Sequence, residues 1–305
     1  KEAWKMSFVA QAITLATSSM HAMVPLSLTA TGETFNEKAG SFNIGLEGTM
    51  LLSAFTAVIG AEATGQYFWG LIAGMLTGML ISLVFAVIAI YWKGDQMITG
   101  IGVNLFALGF VAFGLIAIWK TPGHHGLANW YPPRIPTPIG ALSPLVPFAV
   151  AMAIVTYLLV NKTVFGLRVK ASGENPESVD VAGLSVERIR LVSALFGGAL
   201  AGIAGAYLSI DWLSFVTKEI SAGRGFISLA CVVFSGLDPL LAFGGAFLFG
   251  FSEAFAIFLA SMPGGPPIPY FFVYMIPYIV SLAVVTGVIG RRRFPAALGT
   301  PYRRE

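Results

Sequence analysis

Long apolar runs without a single Asp, Glu, Lys or Arg recur along this chain: Met6 to Gly32, Ala63 to Trp92, Gln96 to Trp119, Ile135 to Asn161, Leu191 to Ile210 and Ala254 to Gly290. Each reaches or exceeds the roughly 20 residues that carry a helix across hydrocarbon. Backbone groups in lipid must pair internally, so the runs read as helices and the fold class as all-α, a polytopic integral membrane protein. Only 11% of residues are charged against 56% hydrophobic, where a soluble domain carries about 25% charged residues. No soluble domain can be cut from the remainder. With Gly and Pro as punctuation, spans fall near 8 to 30, 44 to 61, 66 to 92, 97 to 119, 144 to 161, 190 to 210, 225 to 236, 239 to 260 and 270 to 290, about nine crossings with some partial.

One polar island, Phe165 to Arg190, interrupts this pattern. Asn175 is a good N-cap, Pro176 suits the first helical position, Glu177 sits at the positive helix end, and Gly183 fits a left-handed C-terminal cap. A short helix over 176 to 182 follows. It is too short to hold alone in water, so it must rest against something larger. Val179, Val181, Ala182 and Leu184 are its apolar groups, and Arg168, Lys170, Arg188 and Arg190 flank it, which assigns it to the cytoplasm. Such a capped, partly apolar helix is what a soluble motor would grip; the alternative is a solvated loop with one helical turn.

With the island and the cluster Arg291 to Arg293 both cytoplasmic, the loop from His124 to Pro138 faces outward. Counting backward puts the N-terminus outside, against the preference of Lys1 and Lys5. No signal-peptide pattern heads the chain, and its opening on Lys1 leaves room for a few preceding residues. Cys231 is a lone cysteine, which leaves neither an intramolecular disulfide nor a thiolate metal site. The net charge of +3 is read as topology and not as nucleic-acid affinity.

Two stretches align without a gap: Ala39 to Leu46 (AGSFNIGL) and Ala222 to Leu229 (AGRGFISL), with four identities in eight positions. Each is read as following a polar turn and opening a span. Together with an odd number of crossings this suggests an inverted repeat with a transport path between its halves. Gly70, Gly74 and Gly78, and Gly198, Gly202 and Ala206, are spaced for close helix contact.

No Gly-x-x-x-x-Gly-Lys-Ser/Thr loop is present, so ATP-driven work must come from a partner. His21, His124 and His125 show no metal-ligand spacing with acids. Glu47 and Glu253 stand inside spans, where an ionised group needs a wet cavity or a partner. They are read either as proton relays or as structural hydrogen-bond acceptors, and no intramembrane Lys or Arg is seen to match them. Asp211 reads as interfacial. Helices that begin within the membrane at Gly40 to Asn43 and Gly223 to Gly225 would leave amides lining a cavity. Asn43, Asn104, Gln96 and Ser228 could then offer polar groups, and Trp69, Phe106 and Phe226 flat faces.

These motifs resemble the permeases of ABC importers in the branched-chain amino acid and ribose superfamily. The island matches the pattern Gly-x-Asn-Pro-x-x-Ala-x-x-x-Gly as Gly173-Glu174-Asn175-Pro176 followed by Val181, Ala182 and Gly183, with Val181 departing from the usual small or basic residue. The small-residue helix Gly197 to Ala206 is similar as well. Gly32 to Gly48 and Gly223 to Leu229 resemble the nucleoside branch, and the chain looks like its shorter, second permease. The resemblance implies one transmembrane permease domain over 1–305, with N-terminal helices over 8–161, a cytoplasmic coupling segment over 162–190, C-terminal helices over 191–290 and a tail over 291–305. Gly173, Glu174, Asn175, Pro176, Val179, Val181, Ala182, Gly183 and Leu184 would couple to an ATP-binding cassette ATPase. Asn43, Glu47, Asn104, Phe106 and Phe226 would meet solute. Further implied partners are a second homologous permease, a substrate-binding lipoprotein and the lipid bilayer of the cell inner membrane, with no nucleic acid. ATP and magnesium belong to the ATPase, and this chain carries no cofactor and no catalytic site. The expected solute is a purine nucleoside; the alternatives are riboflavin or a simple sugar, or a proton-coupled transporter using Glu47 and Glu253.

Overall fold

The computed structural model describes residues 2–128, 130–137, 140–261, 269–288 and 294–302. The cluster Arg291 to Arg293, Lys1 and Pro138 lie outside the described residues. Six described helices are long and apolar enough to cross a membrane: α2 (Leu46–Thr64), α3 (Tyr67–Ala86, continued by a π-helical turn Val87–Tyr91), α4 (Gln96–Trp119), α5 (Leu145–Lys162), α8 (Val186–Ala206, continued by a π-helical turn Tyr207–Trp212) and α10 (Pro239–Ala260). They are joined by α1 (Glu2–Lys38), α6 (Val164–Glu174), α7 (Pro176–Val181), α9 (Arg224–Ser235), α11 (Tyr270–Tyr274) and α12 (Ile276–Val288). Four three-residue strands, β1 (His124–Gly126), β2 (Ile135–Thr137), β3 (Gly140–Leu142) and β4 (Phe215–Thr217), pair β1 with β4 and β2 with β3, both antiparallel.

The first helix corrects the sequence reading. It does not end near residue 30; it runs 37 residues, about 55 Å, so the expected polar turn before Ala39 is its last two turns. Glu33 is tolerated there because it is partnered. The Glu33 carboxylate accepts Asn36 Nδ2 at 3.1 Å and the Asn43 backbone N–H at 2.9 Å, and Glu33 and Asn36 are each 1% exposed.

α1, α2 and α8 form the centre, with α3, α4, α5 and α10 around them. α1 and α8 run antiparallel. At one end Arg190 Nε donates to the Ala39 carbonyl at 3.1 Å, and at the other Tyr207 Oη donates to the His21 carbonyl at 3.2 Å. The small-residue stripes pack as expected. A Cβ on Gly78 would fall 2.6 Å from the Gly202 Cα, and one on Gly74 would fall 2.7 Å from the Ala206 Cβ, so α3 and α8 touch nearly backbone to backbone.

The chain therefore has two polar ends. The end opposite α7 is closed by the segment between α4 and α5. Its anchor is Asp211, which is fully buried. The Asp211 carboxylate accepts from Tyr67 Oη and pairs with Arg134, and accepts Ser143 Oγ at 2.7 Å. Beside it His125 Nε2 lies 2.6 Å from Glu62 Oε1 and its ring stacks on Trp119 at 4.3 Å. With α1 entering from this end, its N-terminal side lies opposite α7, as the count along the spans requires.

At the other end, α7 forms as its caps dictate. Asn175 Oδ1 accepts the Ser178 N–H at 3.1 Å, Pro176 opens the helix, and Gly183 takes φ +78°. The first half of the island is itself helical, α6, capped by Thr163 Oγ1 accepting the Gly166 N–H at 3.0 Å. Val179 turns inward onto Phe35, Val169 and Val186, while Val181 is 90% exposed. The fully buried Arg190 joins this end together. Its guanidinium donates to the carbonyls of Ala39 at 3.1 Å and Thr300 at 2.8 Å, near the negative C-terminal end of α1. The segment 294–302 is stitched alongside by Ala297 N–H to Gly173 O at 2.9 Å and Gly299 N–H to Gly40 O at 3.1 Å.

Candidate functional site

The two aligned stretches meet inside the molecule. After α1 the chain turns at Gly40, φ +92°, and runs without helix until Leu46 opens α2. After the π turn of α8 it returns through β4, turns at Ala222 (φ +46°) and Gly223 (φ +81°), and opens α9 at once. The depth of both junctions follows from their partners. Asn104 lies about two turns into α4 and brackets the α2 start, accepting the Gly48 N–H at 2.8 Å and donating to the Ile44 carbonyl at 3.1 Å. Glu253 lies about four turns into α10 and pairs with Arg224, the first residue of α9. Both helices therefore begin within the thickness of the helical body.

Glu47 joins the two beginnings. From the first turn of α2 its carboxylate accepts the N–H groups of Gly223 at 2.8 Å and Gly225 at 2.7 Å, at the N-terminus of α9. The free amides of a helix start carry partial positive charge, so an ionised carboxylate is stabilised there. Gly225 is required for the approach, since a Cβ there would lie 2.5 Å from the Glu47 backbone nitrogen.

A cavity of about 400 Å³ opens at this junction, lined by Glu47, Asn104, Glu219, Ser221 and Phe226 among others. Three of the residues expected to meet solute, Glu47, Asn104 and Phe226, share it. The other two do not. Asn43 is 3% exposed and uses its Oδ1 to accept the Gly45 N–H at 2.8 Å, so it holds the turn. Phe106 lines a separate apolar groove of about 760 Å³ between α3 and α4, with Leu80, Val84 and Phe110. Gln96 spends its Oε1 on the Phe42 N–H at 2.6 Å, Ser228 donates to the Arg224 carbonyl at 2.8 Å, and Trp69 stands outward against Phe68.

Glu253 is not isolated, contrary to the sequence reading. Its match is Arg224, whose guanidinium also lies 5.2 Å from the Trp212 ring centroid. This pair lines a second cavity, about 290 Å³, with Leu26, Phe249 and Tyr278. The signal for Arg224 was present at the end of the aligned Ala-Gly turn, but nothing local identifies a partner 29 residues away. Among the described residues no three His, Cys, Asp or Glu side chains gather as metal ligands.

Residues 15–285 match the family model for the permease component of the branched-chain amino acid transport system, and the chain belongs to that family. It is 35% identical to the guanosine ABC transporter permease protein NupQ of Bacillus subtilis, over 91% of this chain and 92% of that protein. It is 32% identical to the nucleoside ABC transporter permease protein NupC of Lactococcus lactis, over 91% and 93%. A putative glucose ABC transporter permease protein of Haloferax volcanii is 30% identical over 98% and 99%. No solved structure matches the chain.

Proposed function

We propose that this multi-pass permease is one of two permease subunits of an ATP-driven importer in the cell inner membrane, and that the cavity at Glu47 is its share of the path for a nucleoside. The observation that carries the reading is the meeting of two oppositely entering helix starts at one open cavity, within a fold whose far end displays the capped α7. Inverted helix starts at mid-depth are where alternating-access transporters hold solute. The Phe226 ring offers a face for a flat base, and Asn104 and Ser221 offer polar groups for its edge or for ribose. Relatives named for guanosine and nucleosides support that solute class, and a relative named for glucose makes a simple sugar the second reading.

In this reading α7 docks on an ATP-binding cassette ATPase, which binds ATP and magnesium, and residues Gly173 to Leu184 transmit its motion. A second homologous permease completes the path, and a substrate-binding lipoprotein delivers solute from outside. Arg190, donating to carbonyls of α1 and of the segment 294–302, makes this end move as one body with Gly40, seven residues before Glu47. A proton relay through Glu47 or Glu253 is disfavoured because each acid already has a structural partner.

The test is purification of the chain with its native partners in mild detergent, reconstitution, and ATP-dependent uptake of nucleosides, riboflavin and sugars. Nucleoside uptake with ATP hydrolysis is expected. Asn175→Ala with Gly183→Pro should leave insertion intact while ATP hydrolysis no longer drives uptake, because proline cannot adopt the left-handed φ at Gly183. Recovery of the chain alone, transporting on a proton gradient, would refute the importer reading.

A further inference from the structure

We propose that Glu47 is a resident anion that makes its cavity a path for uncharged solutes and closes it to carboxylates and phosphates. The inference rests on the importer reading above and adds to it the charge class of the solute.

A helix start is a ready anion site, because its first N–H groups point outward unpaired and its dipole favours negative charge. Two such starts, those of α2 and α9, converge on this cavity. An anionic solute would be expected to seat there, but the seat is taken. The Glu47 carboxylate holds both the Gly223 and Gly225 amides, at 2.8 and 2.7 Å. The contact is tightly packed, since α9 approaches so closely that a Cβ on Gly225 would lie 2.6 Å from the Glu47 Cα.

The rest of the charge pattern acts the same way. The cation Arg224 is engaged by Glu253, lies over the Trp212 ring and lines the other cavity. Glu219 is the second ionisable group in the lining of the Glu47 cavity, with Lys218 Nζ 3.9 Å from its carboxylate on the exposed side, and among the described residues no Lys or Arg lines the cavity itself. An incoming carboxylate or phosphate thus meets the Glu47 and Glu219 carboxylates and finds the Gly223 and Gly225 amides already taken, a built-in rejection of the wrong partner. An uncharged solute meets the spare hydrogen-bonding capacity of Asn104, the Ser221 hydroxyl and the Phe226 ring.

The experiment uses the reconstituted importer with all partners. Wild type should import an uncharged nucleoside and neither leucine nor a nucleoside monophosphate. Import of a simple sugar in place of a nucleoside would overturn only the substrate reading, whereas import of leucine or the monophosphate would overturn the charge inference. Glu47→Ala, which leaves two amides unpaired, should lower nucleoside uptake at least about tenfold. Tens of millimolar formate should restore much of it, and formamide, of like size but uncharged, should not. Full uptake without formate, or equal rescue by formamide, would overturn the inference. Should Glu47→Ala fail to assemble, Glu47→Gln keeps the shape and removes the charge. Its nucleoside uptake should then be inhibited by a nucleoside monophosphate at least about tenfold more strongly than that of wild type, and equal inhibition of the two would overturn the proposal.

Discussion

The stretches Ala39 to Leu46 and Ala222 to Leu229 share a left-handed glycine at the same aligned position and then diverge. After Gly40 the chain stays out of helix through Gly45, and its amides are taken one at a time by neutral and acidic side chains: Phe42 by Gln96, Asn43 by Glu33, Gly45 by Asn43. After Gly223 the helix starts immediately, and one carboxylate, Glu47, takes two amides while Arg224 pairs with Glu253. The same turn is thus completed by three separate side chains in one copy and by one carboxylate with an ion pair beside it in the other. A helix that starts late leaves more backbone to be satisfied, and inside a membrane each unsatisfied group is expensive. The first copy spreads that task over several side chains, so it is a scaffold. The second concentrates it on Glu47 and leaves an open cavity beside it.

The charged copy should be the more fragile. Arg224→Leu or Glu253→Leu alone strands one ion of a partly buried pair, with an expected loss of about 3–5 kcal/mol. The double substitution should recover much of that loss, because two apolar side chains strand no charge. Melting of the purified chain in one detergent measures all three; a double variant no better than the singles would show that the pair is not the organising contact of α9.

In the first copy Glu33 and Gln96 should contribute about equally. Glu33→Ala leaves the buried Asn43 N–H without its acceptor, at a cost of about 1–3 kcal/mol. Gln96→Ala should cost a similar amount through the Phe42 N–H. Their effect should be on stability, with uptake per assembled complex preserved, whereas Glu47→Ala should lower uptake per complex. If Glu33→Ala lowered uptake per complex as much as Glu47→Ala, the division into scaffold and cavity would fail.

What was legible in the sequence divides along a similar line. α7 could be read residue by residue, because capping by Asn175, Pro176 and Gly183 is decided within a few residues. That α3 and α8 each make a close helix contact was legible because small residues at helical spacing have few other uses in a membrane; that they meet each other was not. The end of α1 was not, because Glu33, Asn36 and Glu37 look like a solvated turn until Asn43 folds back on them. The burial of Asp211 was hidden for the same reason: its partners Tyr67, Arg134 and Ser143 come from three distant segments. Of the expected path residues, Asn43 and Phe106 have only their chemical type to point to the path, and type does not say which face a side chain takes. Glu47, Asn104 and Phe226 come together only because both re-entrant turns reach the same depth.

The shared glycines offer a finer contrast. Each has a left-handed backbone, so alanine at either should cost about 1 kcal/mol from conformation alone. At Gly223 nothing lies within 4 Å of the added Cβ, so the cost should stop there. At Gly40 the Cβ would fall 2.7 Å from Arg190 Nη2 and 3.2 Å from the Gly173 Cα. Gly40→Ala should therefore be the more damaging by about another 1–3 kcal/mol, and it should disturb coupling to ATP hydrolysis because Arg190 is displaced. Equal melting temperatures for the two variants would remove Arg190 from the tight contact assigned to it.

The smallest effect falls on the position that most separates the copies. Ser41 aligns with Arg224, yet its hydroxyl is buried and has no hydrogen-bond partner among the described residues, where Arg224 makes the ion pair on which α9 is built. A buried hydroxyl without a partner contributes no stability, so Ser41→Ala should leave the melting temperature unchanged or raise it slightly, within about 0.5 kcal/mol. Uptake per complex should not move. A clear loss in Ser41→Ala would mean that the Ser41 hydroxyl finds a partner in another state of the transport cycle. The first turn would then also change its contacts during transport, and the contrast between a fixed first copy and a working second copy would have to be given up.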